Sequence, residues 1–532
     1  MTGLDVPLSP LRFLERASEI YPSSVAIVDG DRRLTYSEFA AAAQRLARGL
    51  IASGVRRGER VAFMSANSAE LLIAHFGVPL AGAVLVAVNT RLSGDEVVWI
   101  CSHSQARILF GDADLLVAVE AADDGPELVI ELPAQNGEYT GERTTYAELS
   151  ARGGSDLLPW QVSDESSTIS INYTSGTTGR PKGVMYTHRG AYLASLNAVV
   201  HQRLVAESRY LWTLPMFHCN GWCMTWAVTA AAGRHIALRQ VRGPEIWRLI
   251  DDEGISHLGG APVVLNSLSD ASQAHPIAGS LTVSTGGAPP GPSVRRKIVE
   301  LGADLVHLYG LTETYGPHAA CEMRSDWLRL AVDEQDKMLS RQGVGMVAAE
   351  SLRVVRRNQS DIQDVEPDGT EVGEIVMRGN MVMKGYLNDQ AATEECFAGG
   401  WFHSGDLGVM HSDGYIQLVD RAKDVVISGG ENISTIEVEQ ALDAHDAVAD
   451  VVVIGVPDDE WGERPKAFVV RTDGFEVTEA ELIAHVKSKI ASFKAPRNIE
   501  FVAELPRTST GKVCKNDLRD LEWAGSGSRI RG

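Results

Sequence analysis

The run Thr168-Ile-Ser-Ile-Asn-Tyr173, continuing as Thr174-Ser175-Gly176-Thr177-Thr178-Gly179-Arg180-Pro181-Lys182-Gly183, joins a strand pattern to a loop suited to an anion. Ile169, Ile171 and Tyr173 alternate on one face, the period of a β-strand. Downstream, Tyr192, Leu196, Val199 and Val200 recur at helical spacing, so the loop is expected to bridge a strand and a helix. Four hydroxyls, three glycines and a lysine stand between them. Glycines let backbone N–H groups approach phosphate oxygens, hydroxyls donate hydrogen bonds and the lysine adds charge. Pro181 occupies the place where a Walker A loop needs its second glycine, so that motif is excluded.

Outward from this loop, helical and strand patterns alternate along most of the chain, the signature of an α/β protein. Thr35-x-x-Glu38 is a capping box, followed by Phe39, Ala43, Leu46 and Leu50 on one helical face. The longest apolar run, Leu71 to Val88, contains His75, Gly77, Pro79 and Gly82. It reads as a helix followed by a buried strand, not a membrane span. Pro133 to Ser167 reads as exposed loops. The last part has its own pattern. Ser434-x-x-Glu437 and Thr478-x-x-Glu481 open two helices, the second with Leu482, Ile483, Val486 and Ile490 on its apolar face. Strand-like runs lie between them at Val451 to Val456 and Ala467 to Arg471. The fold expected is a large multi-layer α/β domain over residues 1–422 and a small α+β domain over residues 423–532, divided near Arg421 to Asp424.

A length of 532 residues requires more than one core. The net charge of −21 argues against nucleic acid and anionic membranes as partners, yet leaves room for a local phosphate site. The first eleven residues lack a signal-peptide pattern. The six cysteines are scattered, and Cys219 and Cys223 have no second zinc-spaced pair. Reduced thiols and a cytoplasmic location are expected.

Further motifs follow the loop in order. They are Leu214-Pro-Met-Phe-His218, Ser284-Thr-Gly-Gly-Ala288, Tyr309-Gly-Leu-Thr-Glu313, Gly400-Trp-Phe-His-Ser-Gly-Asp406, Asp420-Arg-Ala-Lys-Asp424, Gly429-Gly-Glu-Asn432 and Pro506-Arg-Thr-Ser-Thr-Gly-Lys512. The ordered set, over nearly the whole chain, resembles the adenylate-forming (AMP-binding) superfamily, in its acyl-CoA synthetase branch. The resemblance implies a carboxylate attacking the α-phosphate of ATP, release of pyrophosphate, and transfer of the acyl group to coenzyme A.

It also implies roles. Thr174, Ser175, Gly176, Thr177, Thr178, Gly179 and Lys182 would hold the triphosphate, and Thr174 with Glu313 would hold Mg²⁺, a hard cation that prefers oxygen. Thr312 would touch the α-phosphate, with Gly310 beside it. Gly287, Ala288 and Tyr309 would enclose adenine, and Asp406 and Arg421 would meet the ribose. Lys512, Lys182, Thr312 and His218 are the expected catalytic residues, Lys512 bridging the carboxylate and the α-phosphate. Lys423 would be the pivot of a mobile C-terminal domain. Gly429, Gly430 and Glu431 would line the pantetheine path, and Trp461 would meet CoA.

The segment Phe217-His-Cys-Asn-Gly-Trp222 resembles the acyl-pocket motif of short- and medium-chain ligases, and Trp222 could close a pocket for a short or medium fatty acid. Its other reading is an ordinary core tryptophan. The expected partners are a small carboxylic acid, ATP and CoA, with a homodimer left open. A stand-alone enzyme loading a separate carrier protein is the alternative reading, and a catalytically dead nucleotide sensor is a third.

Overall fold

The computed structural model describes residues 4–120, 125–174, 181–287, 292–357, 362–428, 431–458, 461–508 and 512–524. Among them the strands form four sheets. Two large ones dominate. The nine-stranded sheet is parallel through its centre, where Arg209–Leu211, His257–Gly260, Thr282–Thr285 and Asp304–Leu311 lie in turn. The eight-stranded sheet contains Thr168–Thr174, Val84–Ala87, Arg60–Met64 and Ala106–Gly111 side by side, again parallel.

Strand periodicity sorts side chains into layers. Ile27 and Phe63 face one shared core, whereas Val28 and the pair Ala62 and Met64 face outer ones. Helices Leu11–Ile20, Tyr36–Ala52, Ala69–Leu80, His188–His201 and Met224–Ala230 fill the shared core between the sheets. Gly243–Glu253 and Pro262–Ser269 cover the far face of one sheet, Gly94–Ser104 and Ala113–Glu120 that of the other. Sheets buried on both faces explain the near-continuous apolar strands.

The Thr35–Glu38 capping box forms, and Phe39, Ala43, Leu46 and Leu50 are all fully buried. Leu71 to Val88 is a helix ending at Leu80, then the strand Val84–Ala87. No helix among the described residues is long and apolar enough to cross a membrane. Two expectations need correction. The phosphate loop joins two antiparallel strands, Thr168–Thr174 and Lys182–Thr187, before the helix His188–His201 begins. The second strand alternates through Val184 and Tyr186, and it pairs with the first because a hairpin satisfies both backbones at once. Within Pro133 to Ser167, Thr145 and Glu148 form a capping box that opens a short helix, Tyr146–Ala151.

The small C-terminal domain is a mixed sheet of Glu431–Ile433, Val426–Ser428, Gly462–Arg471 and Val448–Asp458, with Asn498–Phe501 added parallel. Helices Thr435–Asp443 and Glu479–Lys489 pack on one face and Lys515–Glu522 on the other. Thr478 and Glu481 make the expected box. Ser434 caps its helix without reciprocation, because Glu437 instead accepts from Lys494.

Candidate active site

Thr174 and Lys182 face each other across the hairpin, so the ladder alone fixes the mouth of the loop. Ser175, Gly176, Thr177, Thr178, Gly179, Ala288, Gly429 and Gly430 lie outside the described residues. Lys182 Nζ rests 4.7 Å from the centre of the Tyr386 ring. The Tyr386 hydroxyl donates to Glu313 Oε1 at 2.8 Å. Burial first, then the Glu313 charge, pushes the Tyr386 hydroxyl far above its ordinary range, so it stays a donor. Tyr386 is a residue that sequence reasoning missed.

Glu313 sits in a single turn, Thr312–Thr314, at the end of the strand Asp304–Leu311. The Tyr186 hydroxyl donates to the Thr312 carbonyl at 2.6 Å, which anchors that turn to the hairpin. With one carboxylate oxygen held by Tyr386, Glu313 Oε2 has no protein hydrogen bond among the described residues. No cluster of three or more His, Cys, Asp or Glu exists among those residues to hold a metal unaided. A lone carboxylate beside a threonine suits Mg²⁺, which completes its shell with phosphate oxygens and water.

A second constellation adjoins the first. Tyr309, buried at the end of its strand, donates to Asp406 Oδ2 at 2.8 Å. Asp406 pairs with Arg421 across the hairpin of Phe402–Met410 and Ile416–Arg421, with Arg421 Nε 3.3 Å from Oδ1. The Asp406 charge holds the Arg421 guanidinium protonated, above its usual range.

Lys512 arrives from the C-terminal domain and meets both groups. It lines a cavity of ≈ 50 Å³ together with His218, Gly287, Tyr309, Gly310 and Thr312. A Cβ on Gly287, whose φ is +87°, would stand 2.7 Å from Lys512 Cε, so a side chain there would be strained by its backbone angle and would displace the end of the lysine. Burial first, then repulsion from Arg421, lowers the Lys512 ammonium to about 8. His218 falls to about 3, through burial first and the Lys512 charge second, and is therefore neutral. The lysine's loop is stitched by the Thr508 hydroxyl, which accepts from Lys512 N at 3.1 Å, while Arg91 of the large domain donates to the Thr508 carbonyl at 3.4 Å.

The rest of the wall includes Trp222, Cys219, Leu214, Leu308, Gly286 and Gly316. Residues 219 to 223 all have positive φ, between 52° and 60°. Such a left-handed turn costs roughly 1–2 kcal/mol at each residue bearing a Cβ. Cys219 Sγ lies 3.4 Å from Thr312 Oγ1, and burial raises the thiol to about 11, so it is protonated and unreactive. Lys423, Glu431 and Trp461 do not line the cavity. Trp461 is 41% exposed at the tip of the hairpin of Val448–Asp458 and Gly462–Arg471, with Arg497 over its ring.

A hairpin mouth bearing Lys182, the Glu313 and Asp406 carboxylates, and a buried lysine brought in by the small domain are the arrangement of an adenylate-forming enzyme. The chain belongs to the AMP-binding enzyme family. The family pattern of that name matches residues 14–387, and the AMP-binding enzyme C-terminal domain matches 437–512. It is 41% identical to an acetate–CoA ligase of Humulus lupulus, over 96% of this chain and 94% of that protein. It is 38% identical to a peroxisomal trans-cinnamate:CoA ligase of Petunia hybrida (97% and 94%) and 37% to a peroxisomal butyrate–CoA ligase of Arabidopsis thaliana (98% and 94%). The fold matches the o-succinylbenzoate CoA synthetase of Bacillus subtilis with ATP and magnesium ion, at TM-score 0.79 and 27% identity over 95% of this chain and 98% of that one. The chain is a ligase of the AMP-forming acid–CoA class, and its cofactors are ATP, Mg²⁺ and coenzyme A.

The comparisons correct one expectation. Two of these relatives are named peroxisomal, which overturns the cytoplasmic location. Free cysteines speak to redox surroundings and not to the compartment.

Proposed function

We propose that the enzyme activates a small carboxylic acid as its acyl-adenylate and transfers the acyl group to CoA, with acids of short or medium length as preferred substrates. The observation that carries this reading is Lys512 seated against Gly287 in the cavity that Tyr309 and Thr312 also line, within electrostatic reach of Arg421 and Asp406. Two anions must meet in the first half-reaction, and a buried ammonium there offsets their repulsion along the line of attack. Tyr309 and Arg421 fix the Asp406 carboxylate to accept from ribose hydroxyls. Tyr386 orients Glu313 toward Mg²⁺, which would be shared with Thr174 and would neutralise phosphate charge. Lys182 would add its charge at the loop mouth. Neutral His218 would border the acid without attracting its carboxylate away from Lys512.

The preference for small acids rests on Trp222. Its indole fits between Gly286 and Gly316, and a Cβ on either glycine would approach it to 3.3 and 3.0 Å. Among the described residues the wall contains no carboxylate to pair with an amino-acid ammonium, and an unpaired buried charge is costly. The division of the chain at residues 422 and 423, with Lys423 as pivot, belongs to the same proposal. A turn at Arg421–Val425 supports it, since Asp424 N and Val425 N both bond the Arg421 carbonyl.

The test is a panel of acetate, butyrate, octanoate, benzoate and cinnamate with ATP, Mg²⁺ and CoA. AMP, pyrophosphate and an acyl thioester should form, fastest with the aliphatic acids of two to eight carbons. ADP as the product, activity in excess chelator, or a clear preference for the aryl acids would contradict the proposal.

A further inference from the structure

The acyl-pocket turn is held in place by a residue that touches no cavity atom. Asn220, fully buried, lies inside the left-handed segment 219–223. Its backbone N donates to Asn172 Oδ1 at 3.3 Å and its side-chain Nδ2 to Ser170 Oγ at 2.9 Å. Its carbonyl accepts from Thr225 Oγ1 at 3.2 Å. Ser170 and Asn172 belong to the strand Thr168–Thr174, which ends in the phosphate loop. One asparagine therefore links the wall of the acid pocket to the strand that aims the triphosphate.

The segment needs such a link. Apart from Asn220 N, its amide bonds stay within the turn: Gly221 N and Trp222 N to His218 O at 2.9 and 3.4 Å, and Cys223 N to Cys219 O at 3.1 Å. Cys219, Trp222 and Cys223 carry a Cβ in a conformation that L-residues avoid. Gly221 is flush against Trp212, where a Cβ would meet the indole at 2.3 Å. Asparagine tolerates this conformation better than most residues, and its amide offers a donor and an acceptor to the strand. His75 bonds the Leu71 carbonyl through Nδ1 and leaves Nε2 bare beside Asn220. Turning the amide over keeps the Ser170 bond, the hydroxyl then donating, and gives His75 a partner.

We infer that Asn220 is a positioning residue: it pins the left-handed turn bearing Cys219 and Trp222 to the phosphate-loop strand, so that acid selection and phosphate alignment are one rigid unit. The inference rests on the acid–CoA ligase reading for its kinetic consequences, and on geometry alone for the tether.

Two variants test it. Asn220→Gly removes the amide while accepting the backbone angle, so the fold survives, and Ser170→Ala removes its hydroxyl partner on the strand. Hydrogen exchange is followed over residues 219–223 without ligand, and kcat/KM is measured for acetate, butyrate and benzoate. Both variants should exchange about tenfold faster in this segment. Each should lose about 10²-fold in kcat/KM for the best acid, the scale of a small misplacement. The acetate-to-benzoate ratio should move toward one, while the KM for ATP stays within about twofold. The double variant should lose little more than either single one, since both remove the same link.

Unchanged exchange overturns the tether. Faster exchange with an unchanged acid ratio makes Asn220 structural only, and overturns the positioning role. A changed ratio without faster exchange means direct action on the acid, and also overturns it. A wild-type enzyme that adenylates none of the acids would contradict the proposed function, while the exchange result still decides the tether.

Discussion

An ammonium held near Arg421 and away from water releases its proton sooner than one on the surface. Lys512 sits at about 8, burial being the larger cause and Arg421 the second. If its charge drives adenylation, kcat/KM for ATP should be full below that value and fall as pH rises through it, because this ratio reports the free enzyme. Bound phosphates favour the charged lysine, so the fall in kcat should come at higher pH. Lys512→Arg keeps its charge at every accessible pH and should lose the alkaline fall, whatever its absolute rate. A wild-type profile flat to pH 10, or an alkaline fall retained in the arginine variant, would assign the titration elsewhere. Lys512, Glu313 and Asp406 were legible in the sequence because their motifs are contiguous. Tyr386 was not, since it reaches Glu313 across 73 positions and no local spacing announces it.

Where a segment's pattern and its burial agreed, the sequence could be read. Capping boxes at Thr35 and Thr478 did so, as did the helix-then-strand of Leu71 to Val88. The strand Lys182–Thr187 was not legible because its pairing with Thr168–Thr174 defines it. The left-handed turn could not be read at all. Nothing in Cys-Asn-Gly-Trp-Cys prescribes positive φ at a tryptophan, and the groups that surround the turn, Trp212 against Gly221 and Ser170 and Asn172 against Asn220, come from distant parts of the chain. That turn presents Trp222 to the cavity at 8% exposure. Trp222→Ala should shift the preferred acid to longer chains, each added methylene contributing about 0.8 kcal/mol on burial. A folded variant with an unchanged chain-length profile would leave the indole a core residue only.

At the junction of the two domains, polar groups are buried where a hinge would be expected to be loose. Asp420, 1% exposed, accepts from Thr435 N at 2.5 Å and from Thr435 Oγ1 at 2.8 Å. Lys515 donates to Thr435 Oγ1 at 2.7 Å and pairs with Glu439 at 2.8 Å, and Arg519 pairs with Asp424 at 2.6 Å. These bonds tie both flanks of Ala422 and Lys423 to the C-terminal domain, so a rotation at this turn must break those that Asp420 makes to Thr435. A small C-terminal unit was legible from its own helix-start and strand signals; this network was not, because its members are scattered through a hundred residues. Lys423→Pro fixes φ near −65° and should slow one half-reaction far more than the other in single-turnover assays. Proportional slowing of both, or of neither, would move the pivot elsewhere. The structure holds Lys512 in the cavity, the arrangement suited to adenylation and not to entry of a thiol. The direct measurement is therefore Lys512→Ala in separated half-reactions: acyl-AMP formation from acid and ATP, then thioester formation from supplied acyl-AMP and CoA. Adenylation should fall about 10²- to 10³-fold, the scale for losing one charge-stabilising donor, with thioester formation nearly unchanged. Equal losses in both steps would contradict the assignment and leave Lys512 a structural residue.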